Sequence, residues 1–223
     1  MIKDEKIILI GCGEHARMVI DNIEDIGNIE IVGLITSLKE DVGKMFYGYP
    51  ILGINDEIDK IFEKSRGLTG YFLTVGTLKK ANMKERERLY RKLDLKYRAI
   101  NLIHPKAVIS KHANIGHGNI FEAYTKIANG AVVGSHCIVN SFTAVNHDQI
   151  IENNVFLAGN VSMAGCRIGE NTIIADGASI GFKRSVGKNC VIGDGAVVTK
   201  DIPDCSIAYG NPARVIKQNP FYV

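Results

Sequence analysis

The segment NSFTAVNHDQIIENNVFLAGNVSMAGCRIGENTIIADGASIG, residues 140–181, places a large apolar residue at Val145, Ile151, Leu157, Met163, Ile168, Ile174 and Ile180. The spacing is six residues, with one five-residue step between Met163 and Ile168. The series continues outward on both sides. Ile103, Ile109, Ile115, Phe121, Ile127, Val133 and Val139 precede it, and Val186, Ile192 and Val198 follow. The residue after each anchor is often small or polar, as at Gly116, Gly134, Asn140, Ala158, Gly169 and Gly187. Four residues after an anchor stands mostly a small one, as at Ala113, Ala131, Cys137, Thr143, Ala178, Cys190 and Ala196. Neither the 3.6-residue period of a helix nor strict two-residue alternation yields this pattern. A sustained hexad predicts short strands stacked as a parallel β-helix, with one large side chain per face pointing inward.

The first hundred residues have another rhythm. Lys6–Ile10 is a short buried strand by its apolar run. Glu14–Glu24 is helical in pattern, with Met18, Val19 and Ile23 on one face. Further strands are expected at Glu30–Ile35, Tyr71–Val75 and near Tyr97–Leu102, with a charged amphipathic helix over Asn82–Leu93. Strands alternating with helices predict a small parallel, Rossmann-like α/β sheet. The expected boundary lies near Ile100, giving the Rossmann-like α/β domain over 1–99 and a β-helix over 100–223.

The 223 residues are 46% hydrophobic and 23% charged, an ordinary globular composition that suits one or two domains. A net charge of +3 is too weak to point to nucleic acid. The nearest thing to a basic block, Lys79–Arg98, is interleaved with Glu85, Glu87 and Asp94 and suggests a solvated helix face. The apolar runs are too short to span a membrane, and MIKDEK does not resemble a signal peptide. Cys12, Cys137, Cys166, Cys190 and Cys205 form no CxxC, so a reduced, cytoplasmic protein is expected.

Two places carry chemistry. Gly11-Cys12-Gly13-Glu14-His15-Ala16 follows the first strand and opens the first helix, where backbone N–H groups can cradle a phosphate. As a dinucleotide fingerprint it is degenerate. The second strand ends at Thr36 with no acid before Glu40, which argues against NAD. A tight turn made for packing is the plainer alternative. The second place is Asn146-His147-Asp148, inside the repeat. Asp148 can hold the His147 imidazole in one tautomer and raise its basicity. Asn140 is a polar residue with no packing reason, and Gly159 and Gly165 leave backbone N–H groups uncovered. A base, an orienting acid, an amide and bare N–H groups are the parts that acyl transfer needs. His112, His117 and His136 are the one conceivable metal set in the repeat, and their arrangement is unconvincing, so no metal is expected.

Several stretches together resemble the bacterial sugar acyltransferases of the sialic acid O-acetyltransferase and UDP-4-amino-sugar N-acetyltransferase type. They are GCGEHA at 11–16, YPILG at 49–53, FLTVG at 72–76, VNHD at 145–148, MAGCRIG at 163–169, GDGAVVTKDIP at 193–203 and YGNPARVI at 209–216. The likeness implies a left-handed parallel β-helix, a homotrimer with active sites between subunits, and acetyl-CoA as co-substrate. It implies His147 as general base, Asp148 as its acidic partner and Asn140 near the acceptor group. It places Gly165 and the Phe156 position at acetyl-CoA, where Asp176 and Asp194 are further candidates. Arg214 and Lys217, beyond the last coils, are candidate cations for the 3′-phosphate of CoA, with plain surface charge the equal alternative for either. Gly13, Glu14 and His15, with Thr36 and Gly76, are implied at the nucleotide sugar.

The chain departs from that pattern in three ways. Ile35 and Thr36 stand where members that bind UDP-sugars tend to carry acids. Phe156 stands where many have a histidine that contacts acetyl-CoA. One residue is missing between Met163 and Ile168, at the edge of the expected oxyanion site. The expected activity is acetyl transfer to the amine of a nucleotide-linked amino sugar. O-acetylation of a sialic-acid-like nonulosonic acid is the first alternative. A non-catalytic nucleotide-sugar-binding scaffold is the second.

Overall fold

The computed structural model describes residues 4–76 and 81–222; Lys79 and Lys80 of the basic block and the start of MIKDEK lie outside them. The chain divides into two compact units, residues 1–102 and 103–223.

The first unit holds β1 (Glu5–Ile10), α1 (Glu14–Ile26), β2 (Ile29–Thr36), β3 (Met45–Phe46), β4 (Tyr49–Ile54), α2 (Ile58–Lys64), β5 (Gly70–Leu73) and α3 (Ala81–Leu93). The sheet order is β3-β4-β2-β1-β5, parallel throughout except for the β3–β4 hairpin. Ile7, Ile8, Leu9 and Ile10 are fully buried, which explains why β1 is an unbroken apolar run rather than an alternating one. α1 ends at Gly27, whose left-handed conformation (φ 83°) lets its N–H reach the Ile23 carbonyl. The hairpin and α2 escaped the sequence reading. The strand expected near Tyr97–Leu102 shrinks to a single bridge between Tyr71 and Ala99 and to the two-residue strand Leu102–Ile103.

In the second unit the hexads become two-residue strands in three sheets of six, five and eight strands, parallel except where the longer strand Arg214–Gln218 closes the eight-stranded sheet antiparallel to Ser206–Tyr209. Partners lie eighteen residues apart, as in Lys126↔Ala144 and Val132↔Ile150, so three hexads make one triangular coil. At the five-residue step the offset falls to seventeen, as in Ile150↔Arg167 and Ser162↔Ser179, and the ladder stays in register on both flanks. The anchors from Phe121 to Val198 are buried, whereas Ile103, at the open end of the stack, is 43% exposed. Ala131, Cys137, Ala178, Cys190 and Ala196 are fully buried, because the turn admits little more than a methyl or thiol there. All five cysteines are free, and burial pushes the thiols of Cys166 and Cys190 up to about 11. Among the described residues no helix is long and apolar enough to cross a membrane.

From Gly118 to Gly195 each corner of a coil turns on one residue of positive φ. These residues recur at 118, 124, 130, 136, 142, 148, 154, 160, 165, 171, 177, 183, 189 and 195. This second hexad explains the many Asn and Gly residues in the turns, the types that enter the left-handed region at least cost. One corner column is a buried amide ladder. Asn154 Nδ2 donates to Asn171 Oδ1 at 2.8 Å, and Asn171 Nδ2 to Asn189 Oδ1 at 3.1 Å.

Candidate active site

His147 and Asp148 occupy the corner between the strands Ala144–Val145 and Ile150–Ile151. His147 Nδ1 lies 3.0 Å from Asp148 Oδ2, and both side chains are largely exposed. The carboxylate fixes the tautomer with the proton on Nδ1, so Nε2 keeps its lone pair for a proton acceptor's role. Asp148 is also the corner residue of positive φ (58°), a position that tolerates Asp for purely conformational reasons. The fold thus explains a polar residue here, and the ring contact explains an acid.

Gln149, which the sequence reading passed over, and Asn146, to which it gave no role, hold this corner. Gln149 is fully buried at a hexad position mostly kept small, and its Oε1 accepts the Asn146 N–H at 3.0 Å. Asn146 Nδ2 donates to the Met163 carbonyl at 2.6 Å. A glutamine in the small-residue column was the available signal.

The next coil carries the contraction. Four residues, 146–149, join the strands at the His147 corner, but only Ala164, Gly165 and Cys166 join Ser162–Met163 to Arg167–Ile168. In this corner column the N–H of Gly130 donates to His112 O, that of Asp148 to Asn129 O and that of Lys183 to Ala164 O. The Gly165 N–H has no acceptor among the described residues. The shortened turn leaves this group free one coil from His147. Gly159, expected to offer a second bare N–H, does not. Its N–H donates to Asp176 Oδ1 at 2.9 Å.

The other proposed residues lie elsewhere. Asn140, Asp176 and Asp194 follow strands of the eight-stranded sheet, at the preceding corner of their coils. Within one chain Asn140 is therefore separated from His147 by the strand Ala144–Val145. Its Oδ1 is buried without a partner among the described residues. Beside it Glu122 accepts the Ser141 N–H and hydroxyl at 2.8 and 3.0 Å, and burial raises its carboxyl above the usual range. Phe156 is half-buried on the outer side of the eight-stranded sheet between Ile138 and Ile173, and belongs to neither corner. Arg214 and Lys217 are exposed on the strand Arg214–Gln218. His117 and His136 pack edge to face at 5.3 Å, but His112 turns the His147-side corner, so the three histidines do not converge.

In the first unit, Gly11 (φ 122°) is pinned between strand ends. Its N–H donates to Ile35 O at 2.8 Å, and its carbonyl accepts the Thr74 hydroxyl at 2.7 Å. A Cβ there would stand 2.9 Å from the Thr74 carbonyl carbon, which excludes any other residue. Gly13 caps α1 with open space around it. The α1 N-terminus is thus bare at the carboxyl edge of the sheet, the usual ligand side of an open α/β sheet. Glu14 is exposed in the first turn. A Cβ on Gly76 would come within 3.4 Å of the His15 Cβ, so these two residues adjoin the turn. Burial, and then the charge of Arg86, push His15 down to about 3, leaving its ring neutral. Thr36 is buried, with its hydroxyl oxygen accepting the Leu38 N–H at 3.1 Å, so it caps a turn rather than facing a ligand. Arg86, expected on a solvated face, is fully buried and donates to the carbonyls of Leu73 and Val75 at 3.2 and 2.9 Å. It clamps the end of β5 beside the glycine turn.

Residues 6–93 match the family described as the PglD N-terminal domain. No curated protein sequence matches the chain. Among solved structures it is similar to a histidine mutant of perosamine N-acetyltransferase from Caulobacter crescentus in complex with CoA and GDP-perosamine. That match has 25% identity and a TM-score of 0.87, covering 98% of this chain and 100% of that one. It is similar to the acetyltransferase domain of PglB from Neisseria gonorrhoeae in complex with acetyl coenzyme A, with 27% identity, a TM-score of 0.82, and 95% and 99% coverage. WeeI from Acinetobacter baumannii, at 23% identity and a TM-score of 0.68 over 95% of this chain and 100% of that one, shares the fold. The resemblance to bacterial sugar acyltransferases with a left-handed β-helix, read first from the motifs, is borne out.

Proposed function

We propose that this chain, built as a bacterial sugar acyltransferase, moves the acetyl group of acetyl-CoA to the amine of a nucleotide-linked amino sugar. The observation that carries the reading is the free Gly165 N–H one coil from the His147–Asp148 pair. The amine attacks the thioester carbonyl carbon and passes its proton to His147 Nε2. Asp148 stabilises the imidazolium through Nδ1. The Gly165 N–H receives the oxyanion of the tetrahedral intermediate. Collapse breaks the C–S bond, and the CoA thiolate takes the proton back from His147. Such an N–H is worth about 3 kcal/mol at the transition state.

The half of the site that binds acceptor and CoA is completed by a second subunit in a homotrimer. Asn140, with Asp176 and Asp194, lies on one edge of the six-stranded sheet and His147 on the other. Apposition of neighbouring prisms brings the two edges together. The buried, unpartnered Oδ1 of Asn140 is consistent with an edge that awaits a donor. Arg214 or Lys217 supplies a cation for the 3′-phosphate of CoA. The nucleotide meets the bare N-terminus of α1 through Gly13, with Glu14, His15 and Gly76 alongside. The bound GDP-amino sugar of the Caulobacter enzyme supports this acceptor class.

The test is thiol release from acetyl-CoA against a panel of UDP-, GDP- and dTDP-linked amino sugars and of free and CMP-linked nonulosonic acids. Turnover with one nucleotide amino sugar is expected. His147→Ala should lower kcat by about 10²–10⁴-fold, the usual worth of a general base, with acetyl-CoA affinity retained. Wild-type kcat in that variant removes the base. Turnover only with a nonulosonic acid moves the enzyme to O-acetylation.

A further inference from the structure

Phe182 is 62% exposed, an unusual place for a phenyl ring, and sits in the same corner column as His147. The register runs through both flanking strands. Ala144, Ser162 and Ser179 pair in succession before the corner, and Ile150, Arg167 and Ser185 after it. The Lys183 N–H donates to the Ala164 carbonyl at 3.1 Å. These contacts align His147, Ala164 and Phe182, and beside them Asp148, Gly165 and Lys183. Coils repeat at about 4.8 Å, so imidazole and phenyl are borne on backbones about 10 Å apart. Between them lies the shortened turn, whose largest outward side chain is the methyl of Ala164. The phenyl leans onto it. A Cβ on Gly165 would lie 3.3 Å from Phe182 Cε2. The Lys183 ammonium stands 5.3 Å from the ring centroid and holds the ring at this edge.

We propose that Phe182 is the specificity-determining wall of the acyl slot, setting the length of the acyl group taken from the thioester. This rests on the acetyl-transfer reading, in which the carbonyl oxygen meets the Gly165 N–H. An oxygen held there leaves the acyl methyl between the His147 level and the Phe182 ring, in a notch one coil high. The ring gives that methyl apolar contact and leaves no depth for a longer chain. Packing within the chain does not call for Phe182, since the ring is largely exposed on a single chain, and Ser162 and Ser179 show that small polar residues serve the neighbouring edge.

The experiment compares acetyl-, propionyl- and butyryl-CoA with wild type, Phe182→Ala and Phe182→Leu. It reads kcat/KM with an acceptor sugar and, without any acceptor, the equilibrium affinity of each acyl-CoA. One to two methylenes in an apolar pocket are worth about tenfold or more. The butyryl-to-acetyl ratio is expected to rise about tenfold or more in Phe182→Ala, and less in Phe182→Leu. An unchanged ratio in both variants overturns the proposal, whatever the absolute rates. If no acceptor supports turnover in wild type, the acetyl-transfer reading falls, and the affinity ratios still decide Phe182. No binding of acetyl-CoA by wild type overturns both.

Discussion

The His15 ring is half-buried beside the glycine turn, next to the inward-turned Arg86. Its folded pKa of about 3 lies below the ordinary 6.5, so the unfolded chain binds the proton more tightly. The contribution of His15 is therefore complete above about pH 6.5 and is lost as pH falls toward 3. Denaturation midpoints at pH 7.5 and 5 should show a larger drop in wild type than in His15→Gln; parallel drops refute the assignment. The same neutrality leaves His15 able to hydrogen-bond a ligand without a charge of its own. Nothing in GCGEHA discloses this. The turn was legible, but the burial that suppresses the histidine comes from the fold, and the arginine that adds to it lies seventy-one residues away in sequence. Gln149 was hidden for a different reason. Its neighbours in the motif drew attention outward, while its side chain turns into the coil to take the Asn146 N–H.

At the scale of the element, the five-residue step is the informative departure from the repeat. It was visible in the sequence as a slip at the edge of the expected oxyanion site. The folded coil shows what the slip does. Removing one residue draws the corner in, so the Gly165 N–H misses the carbonyl that its counterparts in neighbouring coils use. A glycine inserted between Met163 and Ala164 restores a four-residue turn. It should pair that N–H again and lower kcat by about 10²–10³-fold, the cost of losing one oxyanion donor. The melting temperature should hold or rise. Unchanged kcat with a stable fold removes Gly165 from the mechanism. The strand expected near Tyr97 failed for a related reason of elements. The stretch from Tyr97 to Asn101 met one partner position, Tyr71 against Ala99, and only Leu102 joined a strand; pairing rather than propensity makes a strand.

At the scale of the whole molecule, His147 and Asn140 flank one sheet of one chain and do not meet within it. If each site takes His147 from one subunit and Asn140 from the next, two inactive variants can complement. His147→Ala and Asn140→Ala, co-refolded in equal amounts, should recover about a quarter of wild-type activity, from the random placement of intact edges in a closed ring. No recovery means that each site is contained in one subunit.

The sequence alone determined the β-helix, because a hexad of apolar anchors can bury itself in no other way. It also determined the α/β order of the first domain and the pairing of His147 with Asp148, since adjacent residues need no fold to find each other. Only the tertiary structure decided which amides are free and which side chains share a corner. The stacking of coils places residues seventeen or eighteen apart in one column, and a one-residue contraction changes which backbone groups are satisfied. Phe182 stands over Gly165, and the Gly159 N–H is spent on Asp176, for that reason alone.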